Sequence, residues 1–264
     1  MRTSNPVFSR GPYERRSADR APYLDERGAD RLEQLYRAPA AGPAATGRMT
    51  MDDVVLSTAL SLLVLVAAAA AAWVALPAGS YGVAGLAALA AFAVGLVLSF
   101  RQRAAPALVL LYAALEGFFL GAVTKALEAV WPGIAVQAVV GTAAVFAGML
   151  LAHRVGWIKV TARYARIGTA VAVGFLVLLL VNLVAGLFGA SPGLDSGPLG
   201  IVVGLVGVGL GAFFLSLDFA AVQDAVGRGA PRAEAWRAAF GLTLSLVWIY
   251  LELLRLIAVL RGDD

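Results

Sequence analysis

Cysteine is absent from the 264 residues, so neither a disulfide framework nor a thiolate metal site can form. Histidine occurs once, at His153, and one imidazole makes no metal site without carboxylate partners that the sequence does not place beside it. Charge is scarce. Only 14% of residues are charged, against about 25% in soluble domains, while 60% are hydrophobic and mean hydropathy is +0.81. A water-soluble fold is thereby excluded before any motif is read. Signatures of soluble enzymes are missing too. There is no Gly-x-x-x-x-Gly-Lys phosphate loop and no His-Glu-x-x-His, and the Gly-x-Gly stretch at Gly209 lies inside an apolar run. No nucleophile–base constellation is visible, so no enzymatic activity is expected.

What is present is a polar start followed by seven apolar runs. Residues 1–50 mix nine Arg with six acidic residues, Pro, Gly and Ala, which reads as a disordered tail and shows no cleavable signal peptide. Each apolar segment approaches the ~20 residues a helix needs to cross hydrocarbon. They fall at about 54–77, 80–100, 105–128, 133–152, 167–190, 198–220 and 236–260. Lipid offers backbone groups no partner and no alternating barrel pattern occurs, so the fold class is an all-α, seven-transmembrane-helix bundle spanning 51–264. Pro77, Pro106, Pro132, Pro192, Pro198 and Pro231 sit at or near segment ends, where proline interrupts least.

Basic residues give the orientation. Eighteen of the 21 lie in the tail or in the 2–3, 4–5 and 6–7 connections, whereas the 1–2 connection has none and the 5–6 connection carries only Asp195. The positive-inside rule then places the N-terminus in the cytoplasm and the C-terminus outside. A pI near 9.7 does not indicate nucleic acid, because the Arg residues form no single basic face; anionic lipid headgroups are the expected counter-charge. Arg outnumbers Lys nineteen to two, in keeping with a GC-rich bacterial genome and an inner-membrane location. Helix 7 carries no lysine for a retinal Schiff base, which removes that reading of seven helices.

A charge at mid-bilayer costs about 2.5–3.5 kcal/mol on insertion scales, so each embedded one is a candidate site. Glu116 lies near the middle of helix 3. Asp218 lies low on helix 6, where it would reach headgroup water or pair with Arg228 or Arg232. Glu252 and Arg255 are three apart on helix 7 and are placed to neutralise each other. Glu116 and Glu252 fall within one to two turns of the same depth and could share a cavity. Lys125 and Glu128 are read as a structural pair, and His153 as an interfacial residue. Gly200, Gly204, Gly207 and Gly211 on helix 6 form two small-xxx-small pairs, read as internal packing in preference to a dimer face.

Glu116-Gly117, the run Phe213-Phe214-Leu215-Ser216-Leu217-Asp218-Phe219 and the run Ile249-Tyr250-Leu251-Glu252-Leu253-Leu254-Arg255-Leu256 together resemble the Bax inhibitor-1 (TMBIM, YccA-like) family. The opening Asn5-Pro6-Val7-Phe8 and Val160-Thr161-Ala162-Arg163-Tyr164 look like its actinobacterial branch. The resemblance implies a pH-sensitive calcium leak, with an acidic pair on helices 6 and 7 near the cytoplasmic side. Asp218 matches the helix 6 member and would be the calcium contact, calcium being cargo rather than cofactor. On helix 7 either Glu252 or Ser245 occupies the matching position. By depth Glu252 lies about 18 Å from the level of Asp218, and Ser245 lies nearer it. The resemblance also allows a non-transporting role, in which the tail 1–50 captures a membrane-protein partner such as a protease.

Overall fold

The computed structural model describes residues 47–77, 81–101, 105–189, 194 and 196–262. The expected disordered tail therefore lies almost wholly outside the described residues. Among the described residues seven helices follow in order: α1 Met51–Ala75, α2 Tyr81–Phe100, α3 Pro106–Val130, α4 Ile134–Arg154, α5 Ala162–Leu187, α6 Gly197–Gly227 and α7 Glu234–Gly262. All seven are long and apolar enough to cross a membrane, and no strand occurs among the described residues.

Two boundaries differ from the hydropathy reading by five residues or more. Helix α5 begins five residues early because the Thr161 side chain accepts from the Tyr164 N–H at 3.1 Å, so a cap rather than the apolar edge sets the start. Helix α6 runs seven residues past the expected 220. Its last turns carry Gln223 and Asp224 yet are still helical, and the chain turns only at Gly229, whose φ of +66° favours glycine.

Helix α7 packs against α1, α3, α4 and α6, and over half of its most apolar stretch is buried against protein. Helices α4 and α5 are peripheral, and α5 turns Leu176, Leu180 and Leu183 outward, as a lipid-facing helix does. Helices α1 and α3 cross with their backbones in close approach. A Cβ on Gly117 would overlap the Leu65 carbonyl, and one on Gly121 would overlap that of Ala69. Across α3 and α7, the hydroxyls of Thr124 and Tyr250 share a hydrogen bond of 2.9 Å.

The α2–α3, α4–α5 and α6–α7 connections carry the arginines and mark a basic end. There the short segment before α1 is clasped to the α6–α7 connection. The Met49 N–H donates to the Ala230 carbonyl at 2.8 Å, and the Arg232 N–H donates to Gly47 at 2.9 Å. Thr50 and Asp53 form a reciprocal capping box on α1. Asp53 also accepts from the Arg232 side chain at 2.8 Å. Met49 is buried in a cluster with Val54, Leu215, Phe219 and Ile249, which ties α1, α6 and α7 together.

At the far end Lys125 and Glu128 are both structural, but not as each other's partner. The Lys125 ammonium donates to the carbonyls of Trp73 and Leu76 at 2.7 and 2.6 Å, closing the C-terminus of α1. Glu128 accepts from the N–H groups of Gly133 and Ala135 at 2.6 and 3.0 Å, capping α4. Backbone groups left over at helix ends are the stronger claimants, since each would otherwise be orphaned in an apolar medium.

Candidate functional site

The glycines of α6 set how closely α7 approaches. A Cβ on Gly204 would sit 3.0 Å from Leu256, one on Gly211 would meet Ile249 at 2.5 Å, and one on Gly207 would overlap the Glu252 carboxyl group. The Trp248 indole N–H donates to the Gly207 carbonyl at 3.0 Å, fixing the same crossing. These contacts lie inside one chain, so this glycine face packs internally. Gly200 is buried on the same helix, while Gly209 points to open space. The register is antiparallel and carries on toward the basic end, where it sets Asp218 beside two α7 residues four apart, Gly241 and Ser245.

Asp218 is half-buried, and the Ser245 hydroxyl donates to its Oδ2 at 2.5 Å. Its Oδ1 faces Gly241, where a Cβ would stand 3.1 Å away. The carboxyl group forms part of the lining of a 610 Å³ vestibule at the basic end, together with Met49, Arg228, Glu234, Arg237 and Gly241. The arginines expected to claim Asp218 are engaged elsewhere, Arg228 with Asp224 at 2.6 Å and Arg232 with Asp53 at 2.8 Å. Among the described residues, Ser245 is the hydrogen-bond partner of Asp218.

The sequence matches the model of the family described as Bax inhibitor 1 like across residues 5–262. The chain belongs to that family. No curated protein matches it, and no solved structure does.

In this Bax inhibitor 1-like chain the α7 side chain that bonds Asp218 is Ser245. Glu252 lies seven residues further along, about 10 Å by helical rise, and eleven residues separate Gly207 from Asp218 along α6, about 16 Å. Direct contact between the two carboxylates is ruled out at that distance. Glu252 is buried at 7% exposure, and its Oε2 lies 3.6 Å from the Arg255 guanidinium. Arg255 also donates to the Leu194 carbonyl at 2.8 Å, tying α7 to the α5–α6 connection. It contributes to a second, largely apolar cavity of 460 Å³ at the far end, which Trp131 and Leu127 also line.

Glu116 is half-buried on α3, between the buried Ala113 and Gly117. It lines neither cavity, and neither does Glu252, so the shared space expected for those two is not formed by either one. His153 sits at the end of α4 against the Phe219 ring, with centroids 5.8 Å apart. Sequence reasoning missed Gly241 and Met49. Gly241 had a usable signal, a small residue one turn before a candidate site residue. Met49 had none, because its burial depends on a clasp between segments some 180 residues apart.

Proposed function

We propose that this protein is a non-enzymatic, pH-sensitive leak for calcium or another cation, gated at Asp218. The observation that carries the reading is a carboxyl group at the wall of a vestibule, with one oxygen held by Ser245 and the other beside a residue that has no side chain. A membrane-embedded carboxylate is costly unless water or a cation reaches it, and the vestibule supplies that access. Protonation would remove the charge that attracts the cation, giving the pH response. In this scheme Glu252 and Arg255 form a charged constriction toward the far end, and Glu116 is a further acidic group deeper in the bundle. In this proposal the vestibule faces the cytoplasm of a bacterial inner membrane and the C-terminus lies outside, a reading that the positive-inside rule supports.

The test is ion flux from liposomes holding the full-length protein, compared with Asp218→Asn across a pH series. The expected result is a flux that varies with pH in the wild type and is lost or made pH-independent in the variant. An Asp218→Asn protein that leaks as the wild type does at every pH removes Asp218 from the gate.

A further inference from the structure

A leak gated at Asp218 could carry calcium or another cation; the choice of cargo rests on that proposed leak and depends on the ligands the site offers. Calcium takes six to eight oxygen ligands, and the charge of those ligands tunes its affinity over many orders of magnitude. The Asp218 site is poor in both. Oδ2 accepts the Ser245 hydroxyl hydrogen at 2.5 Å, which leaves Oδ1 as the less engaged oxygen, over Gly241. The other charged residues lining the vestibule are Glu234, Arg228 and Arg237, so two acids meet two arginines and the formal charge of the lining is zero. Glu234 lies 3.7 Å from Arg237, and Asp224 and Asp53 are bound to Arg228 and Arg232. Glu252 is about 10 Å further on by helical rise and is paired with Arg255. Among the described residues no three His, Asp or Glu gather where they could hold a metal ion.

We infer that the Asp218 site passes a monovalent metal cation, of the sodium or potassium kind, in preference to a divalent one. A lone carboxylate neutralises one unit of charge. A divalent ion there would keep half its charge uncompensated in a low-dielectric setting, where electrostatic energies are several-fold larger than in water. The two residues that set this preference are Ser245, which places a hydroxyl where a second carboxylate would double the site's charge, and Gly241, whose missing side chain leaves Oδ1 open.

Full-length protein in liposomes is assayed with sodium and calcium indicators at matched driving force, as wild type, Asp218→Asn, Gly241→Ala and Ser245→Asp. Wild-type sodium flux should exceed calcium flux by about tenfold or more, on the scale over which ligand charge tunes calcium binding. Asp218→Asn should abolish it, Gly241→Ala should reduce it, and Ser245→Asp should move the ratio toward calcium by at least about tenfold. Calcium passing as fast as sodium by a route that Asp218→Asn closes overturns this inference alone. Asp218→Asn leaving every flux unchanged removes Asp218 from the path, and a wild type that passes neither ion overturns the leak itself. Should Ser245→Asp fail to fold, calcium block of wild-type sodium flux decides. Block at micromolar calcium refutes the preference, and no block at millimolar calcium upholds it.

Discussion

Replacing glycine by alanine should have opposite effects at two places in this bundle, and the sign follows from the geometry. Within a helix the exchange favours the folded state by about 0.5–1 kcal/mol, because alanine has less conformational entropy to lose. At Gly148 on α4 and Gly174 on α5 an added Cβ meets nothing within 4 Å, so that gain should appear undiminished. At Gly117 the same methyl would overlap the Leu65 carbonyl, and at Gly121 that of Ala69. Both obstacles are backbone atoms on α1, which cannot rotate away as a side chain would. The helices must separate, and Leu65, Ala113 and Leu120, buried near the crossing, would lose contact with it. Overpacking of a filled interface costs about 1–3 kcal/mol, and a backbone clash belongs at the upper end. Gly117→Ala should therefore be about 2–3 kcal/mol less stable than Gly148→Ala, despite the identical chemistry. Thermal or denaturant unfolding of the purified variants in one detergent measures the difference. Equal stability of the two would show that α1 and α3 do not cross at Gly117, and the packing assigned to that pair of helices would be wrong.

Lys125→Met should destabilise the protein by about 1.5–3 kcal/mol by stripping two charge-assisted bonds from the end of α1, measurable by the same unfolding assay. Opening the clasp with Arg232→Ala should speed hydrogen exchange at the Met49 amide, read by mass spectrometry, while leaving amides in the middle of α3 protected. The absence of cysteine makes orientation directly testable. A cysteine placed at Trp157, which is 80% exposed in the α4–α5 connection, should react with an impermeant maleimide only after cells are lysed. One at Pro132 should react in intact cells, and the reverse pattern would invert the proposed topology.

Much of this architecture is legible from composition. Seven apolar runs with prolines at their borders specify seven helices, since unpaired backbone cannot persist in lipid. Charges inside those runs identify Glu116, Asp218, Glu252 and Arg255 as residues needing an account. What hydropathy cannot supply is the partner each finds. Lys125 and Glu128 are one turn apart, and spacing alone pairs them, yet each goes to an orphaned helix end on another segment. Arg232 likewise goes to Asp53, 179 positions away, and not to Asp218 on the preceding helix. Long-range partners are set by how helices are placed in three dimensions, which a one-dimensional pattern does not encode.

The identity of the residue opposite Asp218 shows where that limit lies. Two antiparallel helices joined by a short connection bring into register positions equally distant from the turn. Helix α6 continues nine residues beyond Asp218 to Gly227, about 13 Å, and α7 begins at Glu234, eleven residues before Ser245, about 16 Å. Those arms nearly match. For Glu252 the second arm would be eighteen residues, about 27 Å, and no tilt of two closely packed helices absorbs such a difference. The apolar run, however, stops near residue 220, because Gln223 and Asp224 are polar, so hydropathy gives α6 an arm of only two residues and leaves the register undetermined. Helical persistence beyond the apolar edge, ended only at Gly229, makes the arms equal. The hydroxyl at Asp218 is thus a consequence of where α6 ends, and lengthening the α6–α7 connection should disturb the contact between Asp218 and Ser245 before it disturbs the seven-helix fold.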